Sequence, residues 1–167
     1  MSIAFNADEI FQMAERIERN GIKFYNHAAK GVKDPRSAEL LRSLAAMEAE
    51  HEKTFARMRA GLSERERKAT VFDPENRSTA YLSAWADGHV FDVKSDPTEK
   101  MSGNEKVEEI YHLAIGMEKD SIVFYLGMKD IVPKKLGREK IDAIVREEMS
   151  HLGILSRELE TLRHQPI

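Results

Sequence analysis

The sequence predicts an all-α protein in which four long helices form a bundle of two antiparallel hairpins. Three observations support this class: few prolines, no regular alternation of apolar and polar residues, and long stretches rich in Ala, Glu, Lys, Leu and Met. A chain of 167 residues is also long enough to bury a core without a disulfide or a structural zinc ion. We therefore expect a single domain over residues 1–167.

The first hairpin is predicted from capping signals near the N-terminus. Asn6 and Glu9 form the pattern of a capping box ahead of a periodic run, which predicts a helix over 7–30. Asp34 can act as N-cap before a proline at the first helical position, which predicts a second helix over 36–60. Because the connection between them is short, the two helices should be antiparallel neighbours.

The second hairpin is predicted in the same way. Ser102 and Glu105 have the spacing of a capping box, which predicts a third helix over 104–131 that stops before Pro133. A fourth helix is predicted over 138–163. The short loop between these two helices again favours an antiparallel pair.

A crossover over 62–103 connects the two predicted hairpins. A crossover that runs the length of a bundle requires about this many residues. Within it, the sequence predicts a short amphipathic helix over 78–87 that presents Leu82 and Trp85.

Composition excludes several classes of function. The chain has no cysteine, which excludes thiolate zinc sites, iron–sulfur clusters and cysteine nucleophiles. A net charge of −3 gives no basic stripe for nucleic acid or an anionic membrane. No apolar run approaches the roughly 20 residues of a membrane span, and the first residues include Asp8 and Glu9 without the apolar run of a signal peptide. We expect a cytoplasmic protein without nucleic-acid or membrane partners.

The two predicted hairpins resemble each other at an offset of 100 residues. Segments 18–25 and 118–125 align and share a glutamate at the start and a Phe-Tyr pair at the end. Two Glu-x-x-His elements align as well, namely Glu48/His51 and Glu148/His151. One helix pair used twice indicates a pseudo-twofold axis, so groups near that axis should occur in pairs.

Six ionisable residues interrupt the apolar stripes of the four predicted helices at one level of the bundle. They are four glutamates and two histidines: Glu18, Glu48, His51, Glu118, Glu148 and His151. Residues three apart lie on one helix face, so each Glu-x-x-His element presents a carboxylate beside an imidazole. Charges in a core stripe are costly unless they are paired or bind metal. Two divalent ions would neutralise the four carboxylates, and oxygen-rich ligation with two nitrogens suits iron or manganese.

Other ionisable residues near these motifs are interpreted as surface residues. Glu109 and His112 repeat the spacing, but Glu109 lies nine residues before Glu118 and so faces the opposite side of that helix. His27 lies nine residues beyond Glu18 and should also face away. Four glutamates are interpreted as solvated, with support of the ligands as the alternative: Glu15, Glu50, Glu52 and Glu147.

Taken together, the motifs resemble the rubrerythrin-like branch of the ferritin-like superfamily over almost the whole chain. The segments that carry the resemblance are Glu18…Phe24-Tyr25, Glu48-Ala-Glu-His51, Glu118…Phe124-Tyr125 and Glu148-Met-Ser-His151. The resemblance implies two bound iron ions, with manganese as an alternative. It implies that Glu18 and Glu118 are terminal ligands, that Glu48 and Glu148 bridge the ions, and that each histidine binds one ion. Tyr25 and Tyr125 are interpreted as core aromatics, with hydrogen bonds to the ligands as the alternative.

The resemblance also implies a function. Family members oxidise Fe(II) and reduce H₂O₂ or O₂, often as dimers, so we expect an oxidoreductase that forms a homodimer or a larger homo-oligomer. The chain departs from rubrerythrins proper at Ser121, where those proteins carry a further ligand glutamate, and it lacks the cysteines of a rubredoxin domain. Electrons would then come from an external donor or from Fe(II) itself. An iron-binding, storage or carrier protein without turnover is the alternative, and a metal-free structural bundle is a third possibility.

Overall fold

The computed structural model describes residues 5–68, 77–86 and 95–164. These ranges contain six α-helices and no β-strand: α1 (Ala7–Gly31), α2 (Pro35–Ala60), α3 (Glu64–Lys68), α4 (Arg77–Ala86), α5 (Val107–Ile131) and α6 (Arg138–Arg163). Single turns of 3₁₀ helix occur at Pro97–Lys100 and Lys134–Leu136. Within the same ranges, no helix combines the length and the apolar character needed to cross a membrane.

The four long helices form the predicted bundle. Helix α1 packs chiefly on α2, and α5 packs chiefly on α6, while α1 also contacts α5 and α2 also contacts α6. In each hairpin, residues at the start of the first helix belong to the same core cluster as residues at the end of the second helix. Antiparallel packing requires this arrangement. The prediction of an all-α four-helix bundle with two antiparallel hairpins is confirmed.

The predicted caps of the first hairpin are present. The side chain of Asn6 accepts a hydrogen bond from the backbone N–H of Glu9, and the Glu9 carboxylate accepts one from the backbone N–H of Asn6, both at 2.9 Å. Asp34 accepts a hydrogen bond of 2.8 Å from the backbone N–H of Ser37. These bonds satisfy backbone donors that have no partner inside the helix.

The predicted start of the third helix is wrong. Ser102 does donate hydrogen bonds to Glu105, but this contact closes a turn ahead of the helix. Gly103 lies in that turn with φ of 80°, a conformation that a right-handed helix cannot contain. Helix α5 therefore begins at Val107, and the carboxylate of Glu109 accepts a hydrogen bond of 2.8 Å from the backbone N–H of Lys106.

The short crossover helix covers α5. Predicted over 78–87, it is present as Arg77–Ala86, and position 87 lies outside the described residues. Leu82 and Trp85 are buried, and the Trp85 ring lies 5.3 Å from the ring of Phe124 in an edge-to-face arrangement. Tyr81 donates a hydrogen bond of 2.6 Å to the backbone carbonyl of Val123. These contacts fix α4 against the second hairpin.

In the described part of the chain, the apolar core forms two clusters. The first core cluster surrounds Phe11, Phe55 and Trp85 and contains the start of α1 with the end of α2. The second core cluster surrounds Leu41 and Tyr111 and contains the end of α1 with the start of α2. Between the clusters, the middle of the bundle is left to polar side chains.

Two glycines of α5 provide a test of the packing of α4. A Cβ at Gly116 would meet no atom within 4 Å, whereas a Cβ at Gly127 would overlap the ring of Tyr81. Gly116→Ala should therefore raise the free energy of unfolding by about 0.4–1 kcal/mol through helix propensity. Gly127→Ala should lower it. Urea denaturation followed by circular dichroism measures both, and an equal gain for the two variants would contradict the described contact between α4 and α5.

Candidate metal centre

The six predicted ligand residues meet in the middle of the bundle. Helix α1 contributes Glu18, α2 contributes Glu48 and His51, and the second hairpin contributes the three residues at the repeat offset. All six side chains are buried, with residue exposures between 1 % and 4 %. They occupy the level between the two core clusters, because the heptad spacing that buries the flanking apolar residues also directs these residues inward.

The cluster contains two overlapping sets of ligand atoms. In each set, one ligand atom per residue lies within 4.8 Å of all the others. The first set contains Glu18, Glu48, His51 and Glu148, and the second contains Glu48, Glu118, Glu148 and His151. Glu48 and Glu148 belong to both sets. The remaining members of one set correspond to those of the other at the offset of 100 residues. The centre therefore has two similar halves that share two carboxylates.

Both imidazoles direct Nδ1 toward the shared carboxylates. Nδ1 of His51 lies 2.9 Å from Oε1 of Glu148 and 3.5 Å from Oε2 of Glu48. Nδ1 of His151 lies 3.2 Å from Oε2 of Glu148 and 3.4 Å from Oε1 of Glu48. The two rings are stacked, with centroids 5.8 Å apart. Each imidazole therefore presents the same nitrogen to the same pair of glutamates.

Two buried tyrosines connect the hairpins through the cluster. Tyr25 of the first hairpin donates a hydrogen bond to Glu118 of the second, and Tyr125 donates one to Glu18. Both rings are at most 1 % exposed. The tyrosines are thus core aromatics whose hydroxyl groups bind predicted ligands, so the two interpretations offered for them are compatible.

The four carboxylates differ in their affinity for protons. Burial, followed by repulsion from Glu48, raises the pKa of Glu18 well above its usual value. Burial, followed by contact with Glu148, does the same to the pKa of Glu118. Burial acts in the same sense on the two shared carboxylates, but close contacts with neighbouring groups, both imidazoles among them, outweigh it and lower the pKa of Glu48 and of Glu148. Without metal, protons on the outer glutamates relieve the repulsion.

The imidazoles also bind protons tightly when metal is absent. Burial alone would lower their pKa values, but the surrounding carboxylates outweigh it. The pKa of His151 is raised to about 12, mainly by Glu118, Glu148 and Glu48. The pKa of His51 is raised by Glu148, Glu18 and Glu48. A metal ion that binds Nδ1 must therefore displace a proton.

The donor atoms of the cluster fit divalent metal ions. Several buried atoms lie close to one another but form no hydrogen bond of acceptable geometry within the described ranges: Glu48 Oε1, His51 Nδ1, Glu148 Oε1, Glu148 Oε2, His151 Nδ1 and His151 Nε2. Buried polar atoms without partners are rare in folded proteins and commonly indicate an absent ion or water. Carboxylate oxygens with imidazole nitrogens suit iron or manganese. The structure thus contains a buried Glu/His cluster that is able to bind metal.

The interpretation of Glu15 as solvated is wrong, whereas Glu147 is exposed as expected but also contacts a predicted ligand. Oε2 of Glu147 lies 2.8 Å from Nε2 of His51, although the Glu147 side chain is 60 % exposed. Glu15 is 4 % exposed and pairs with Arg19 at 3.0 Å and with Arg59 at 3.5 Å. The Glu147 contact crosses from α6 to α2. Spacing within one helix therefore carried no signal for it.

The other surface interpretations agree with the structure. Glu50 is exposed and pairs with Lys53, and the half-buried Glu52 pairs with Arg19. His27 and His112 are exposed, as expected. The spacing of Glu109 and His112 therefore reflects no third ligand pair.

A narrow cleft reaches the cluster between α1 and α5. It extends to Glu48, Glu118 and Tyr25, and its volume of about 10 Å³ is close to that needed for one water molecule. Gly21 and Ser121 line it and correspond under the repeat offset. A Cβ at Gly21 would lie 3.2 Å from Cγ of Glu48, so glycine lets this carboxylate approach α1. Gly21 was not predicted as a site residue, although its alignment with Ser121 at the repeat offset was a signal.

A buried set of four carboxylates and two imidazoles within a four-helix bundle defines the class of ferritin-like carboxylate metal proteins. The model of the rubrerythrin family matches residues 9–159. The chain belongs to the rubrerythrin family.

Comparison with solved structures supports the fold. The chain is similar to a protein from Thermotoga maritima, named as a ferritin-like diiron-carboxylate protein and solved by crystallography at 2.30 Å resolution. The TM-score is 0.73 at 22 % identity, and the match covers 94 % of this chain and 96 % of the other. At this identity the similarity shows the fold alone. No curated protein sequence matches this chain.

The proton affinities predict how the metal-free protein responds to pH. Both histidines have folded pKa values above their usual 6.5, so their contribution to stability is complete below about pH 6.5 and decreases as the pH rises. Glu18 and Glu118 act in the same direction. In EDTA, the free energy of unfolding should fall from pH 6 to 8, by up to about 1.4 kcal/mol per pH unit for each histidine. Urea titrations measure this, and His51→Gln/His151→Gln should show a shallower dependence. Rising stability over this range would be incompatible with the described cluster.

Gly21→Ala tests the close approach of Glu48 to α1. The new Cβ would displace the Glu48 carboxylate, so the variant should bind Mn(II) more weakly than the wild type. Its metal-free stability should change little, because the gain in helix propensity of up to about 1 kcal/mol offsets the tighter contact. Gly153→Ala is the control, since its Cβ would meet nothing within 4 Å. Anaerobic calorimetric titration measures the affinities, and identical affinities for the three proteins would refute the argument.

Proposed function

We propose that this chain is a di-iron oxidoreductase of the rubrerythrin type, which oxidises Fe(II) and reduces H₂O₂ or O₂. The observation that best supports this proposal is that Glu48 and Glu148 belong to both sets of ligand atoms. Two carboxylates shared by two sets are what a pair of adjacent metal ions requires. A single-ion site would need only one set.

The proposal assigns a role to each residue of the cluster. Glu18 and Glu118, which belong to one set each, are terminal ligands. Glu48 and Glu148, which belong to both sets, would each hold both ions. His51 and His151 each bind one ion through Nδ1, the nitrogen that faces the carboxylates. Iron is the proposed metal, and manganese is compatible with the same donor atoms.

A bound pair of iron ions supplies the electrons for reduction of a small oxidant. The chain itself holds the ligands in place and limits access. Tyr25 and Tyr125 orient the terminal carboxylates through their hydrogen bonds. Burial and the nearby carboxylates raise the pKa of both tyrosines well above the usual value, so both hydroxyl groups remain hydrogen-bond donors. The cleft beside Gly21 and Ser121 reaches Glu48 and Glu118 and is the proposed route by which a small oxidant approaches the cluster.

The source of electrons is external in this proposal. The chain contains no cysteine and therefore no rubredoxin-type iron site of its own. A separate electron-donor protein or Fe(II) itself would return the pair of ions to the reduced state. The proposed partners are thus Fe(II), a small oxidant and a reductant, with a second copy of the chain as the proposed oligomeric partner.

One observation favours a second function, that of an iron carrier or storage module without turnover. Ser121 lines the cleft next to Glu118, where rubrerythrins proper carry an additional carboxylate ligand. A hydroxyl group cannot replace a carboxylate as an anionic ligand. A centre without that ligand could bind iron and react once without sustaining a peroxidase cycle.

Metal loading and turnover together test the proposal. The protein should bind about two Fe(II) per chain under anaerobic conditions, and its Tm should rise because only the folded state holds the site. With excess reductant, H₂O₂ consumption should continue over many cycles, whereas a carrier would react once and stop.

Matched variants define the site in the same experiment. Glu48→Ala and Glu148→Ala should abolish the metal-dependent rise in Tm, while the exposed His112→Gln should retain it. Circular dichroism confirms that each variant is folded. Protein that takes up neither iron nor manganese would exclude both functions and indicate a structural bundle.

A further inference from the structure

The two halves of the centre differ in the outer contact of the imidazole. Nε2 of His51 lies 2.8 Å from Oε2 of Glu147. Nε2 of His151 is buried and has no hydrogen-bond partner in the part of the chain that the structure describes. The inner contacts of the two rings, in contrast, are alike: both Nδ1 atoms face Glu48 and Glu148.

The difference originates in the sequence. At the offset of 100 residues that aligns the other ligands, Glu147 corresponds to Met47. Met47 is half-buried and packs against the second core cluster. A thioether is at best a weak acceptor, whereas a carboxylate accepts a charge-assisted hydrogen bond from an imidazole N–H. Both halves therefore contain the histidine, but among the described residues a carboxylate contacts the outer nitrogen of His51 alone.

A carboxylate on the outer nitrogen has a defined effect on a metal-binding histidine. It holds the proton on Nε2, which leaves the lone pair of Nδ1 free for a metal ion, and it fixes the orientation of the ring. It also increases the electron density available to the ligand nitrogen. Loss of such a partner commonly costs 10–100-fold in metal affinity. His51 has this support, and the described residues provide none to His151.

We propose that Glu147 is a positioning residue that makes the two metal positions unequal. The position at His51 binds a divalent ion first and more tightly, and the position at His151 fills second. The inference rests on the proposed two-metal function and adds the order in which the positions are filled. Because Glu147 acts through His51, it need not touch either ion or the oxidant.

The location of Glu147 makes this role testable without loss of the fold. Its side chain is 60 % exposed and lies at an opening of about 330 Å³ between α2 and α6, with His51 in the wall. Glu147→Met copies the residue present in the other half. Glu147→Gln keeps an oxygen acceptor but removes the charge.

The test is anaerobic titration of the metal-free protein with Co(II), with calorimetry for affinities and visible absorption for occupancy. Wild-type protein should bind two ions in two resolved steps. Glu147→Met should weaken the first step by 10–100-fold and leave the second unchanged, and Glu147→Gln should give an intermediate effect. His51→Gln should remove the tight step, and His151→Gln should remove the weak one.

Two further variants complete the design. Met47→Glu should tighten the second step, because it offers His151 the missing acceptor. Glu50→Gln is the control, since Glu50 is exposed on the same opening and pairs with Lys53 rather than with an imidazole. Two equal steps in the wild type, or an equal change of both steps in Glu147→Met, would overturn the inference and leave the two-metal function intact. Binding of fewer than two ions by the wild type would instead refute the proposed function.

Discussion

The structure depends on the burial of six ionisable side chains between two apolar clusters. The four carboxylates and two imidazoles have residue exposures of 1–4 %. They cannot all keep the charges they have in solution, because water does not screen the repulsion between the carboxylates. Protons on the histidines and on Glu18 and Glu118 relieve the repulsion when metal is absent. Divalent metal ions can replace these protons and relieve the same repulsion. The polar layer therefore requires bound protons or metal ions to balance its carboxylates. The rest of the fold excludes water from the layer and so creates this requirement.

The same layer holds the two hairpins together. Each tyrosine donates its hydrogen bond to a glutamate of the other hairpin, Tyr25 to Glu118 and Tyr125 to Glu18. Glu48 and Glu148 come from different hairpins and belong to both sets of ligand atoms. Neither hairpin alone can form half of the centre. Assembly of the bundle and assembly of the metal site are consequently the same event, which explains why a metal ion should stabilise the whole fold.

The sequence predicts the long helices and the six central residues because both depend on local periodicity. Charged residues that recur in apolar stripes, and again at an offset of 100, identify the ligands without knowledge of how the helices pack. The start of α5 was misplaced because Ser102 and Glu105 form a capping pattern inside a turn, where Gly103 has φ of 80°. The roles of Glu147 and Gly21 depend on contacts between helices at ångström distances. Spacing along one helix contains no information about such contacts.

The repeat itself separates what the fold requires from what can vary. Under the offset, the six cluster residues and the two tyrosines are retained, because a change to any of them would leave a partner buried and unpaired. Two of the pairs that differ lie next to the cluster. Gly21 and Ser121 line the cleft, and Met47 corresponds to Glu147 on the outer side of the histidines. Differences at these positions change the lining of the cleft and the outer contact of each imidazole without changing the six buried ionisable residues. Under the proposed function, they would make the two metal positions unequal while the ligands stay the same.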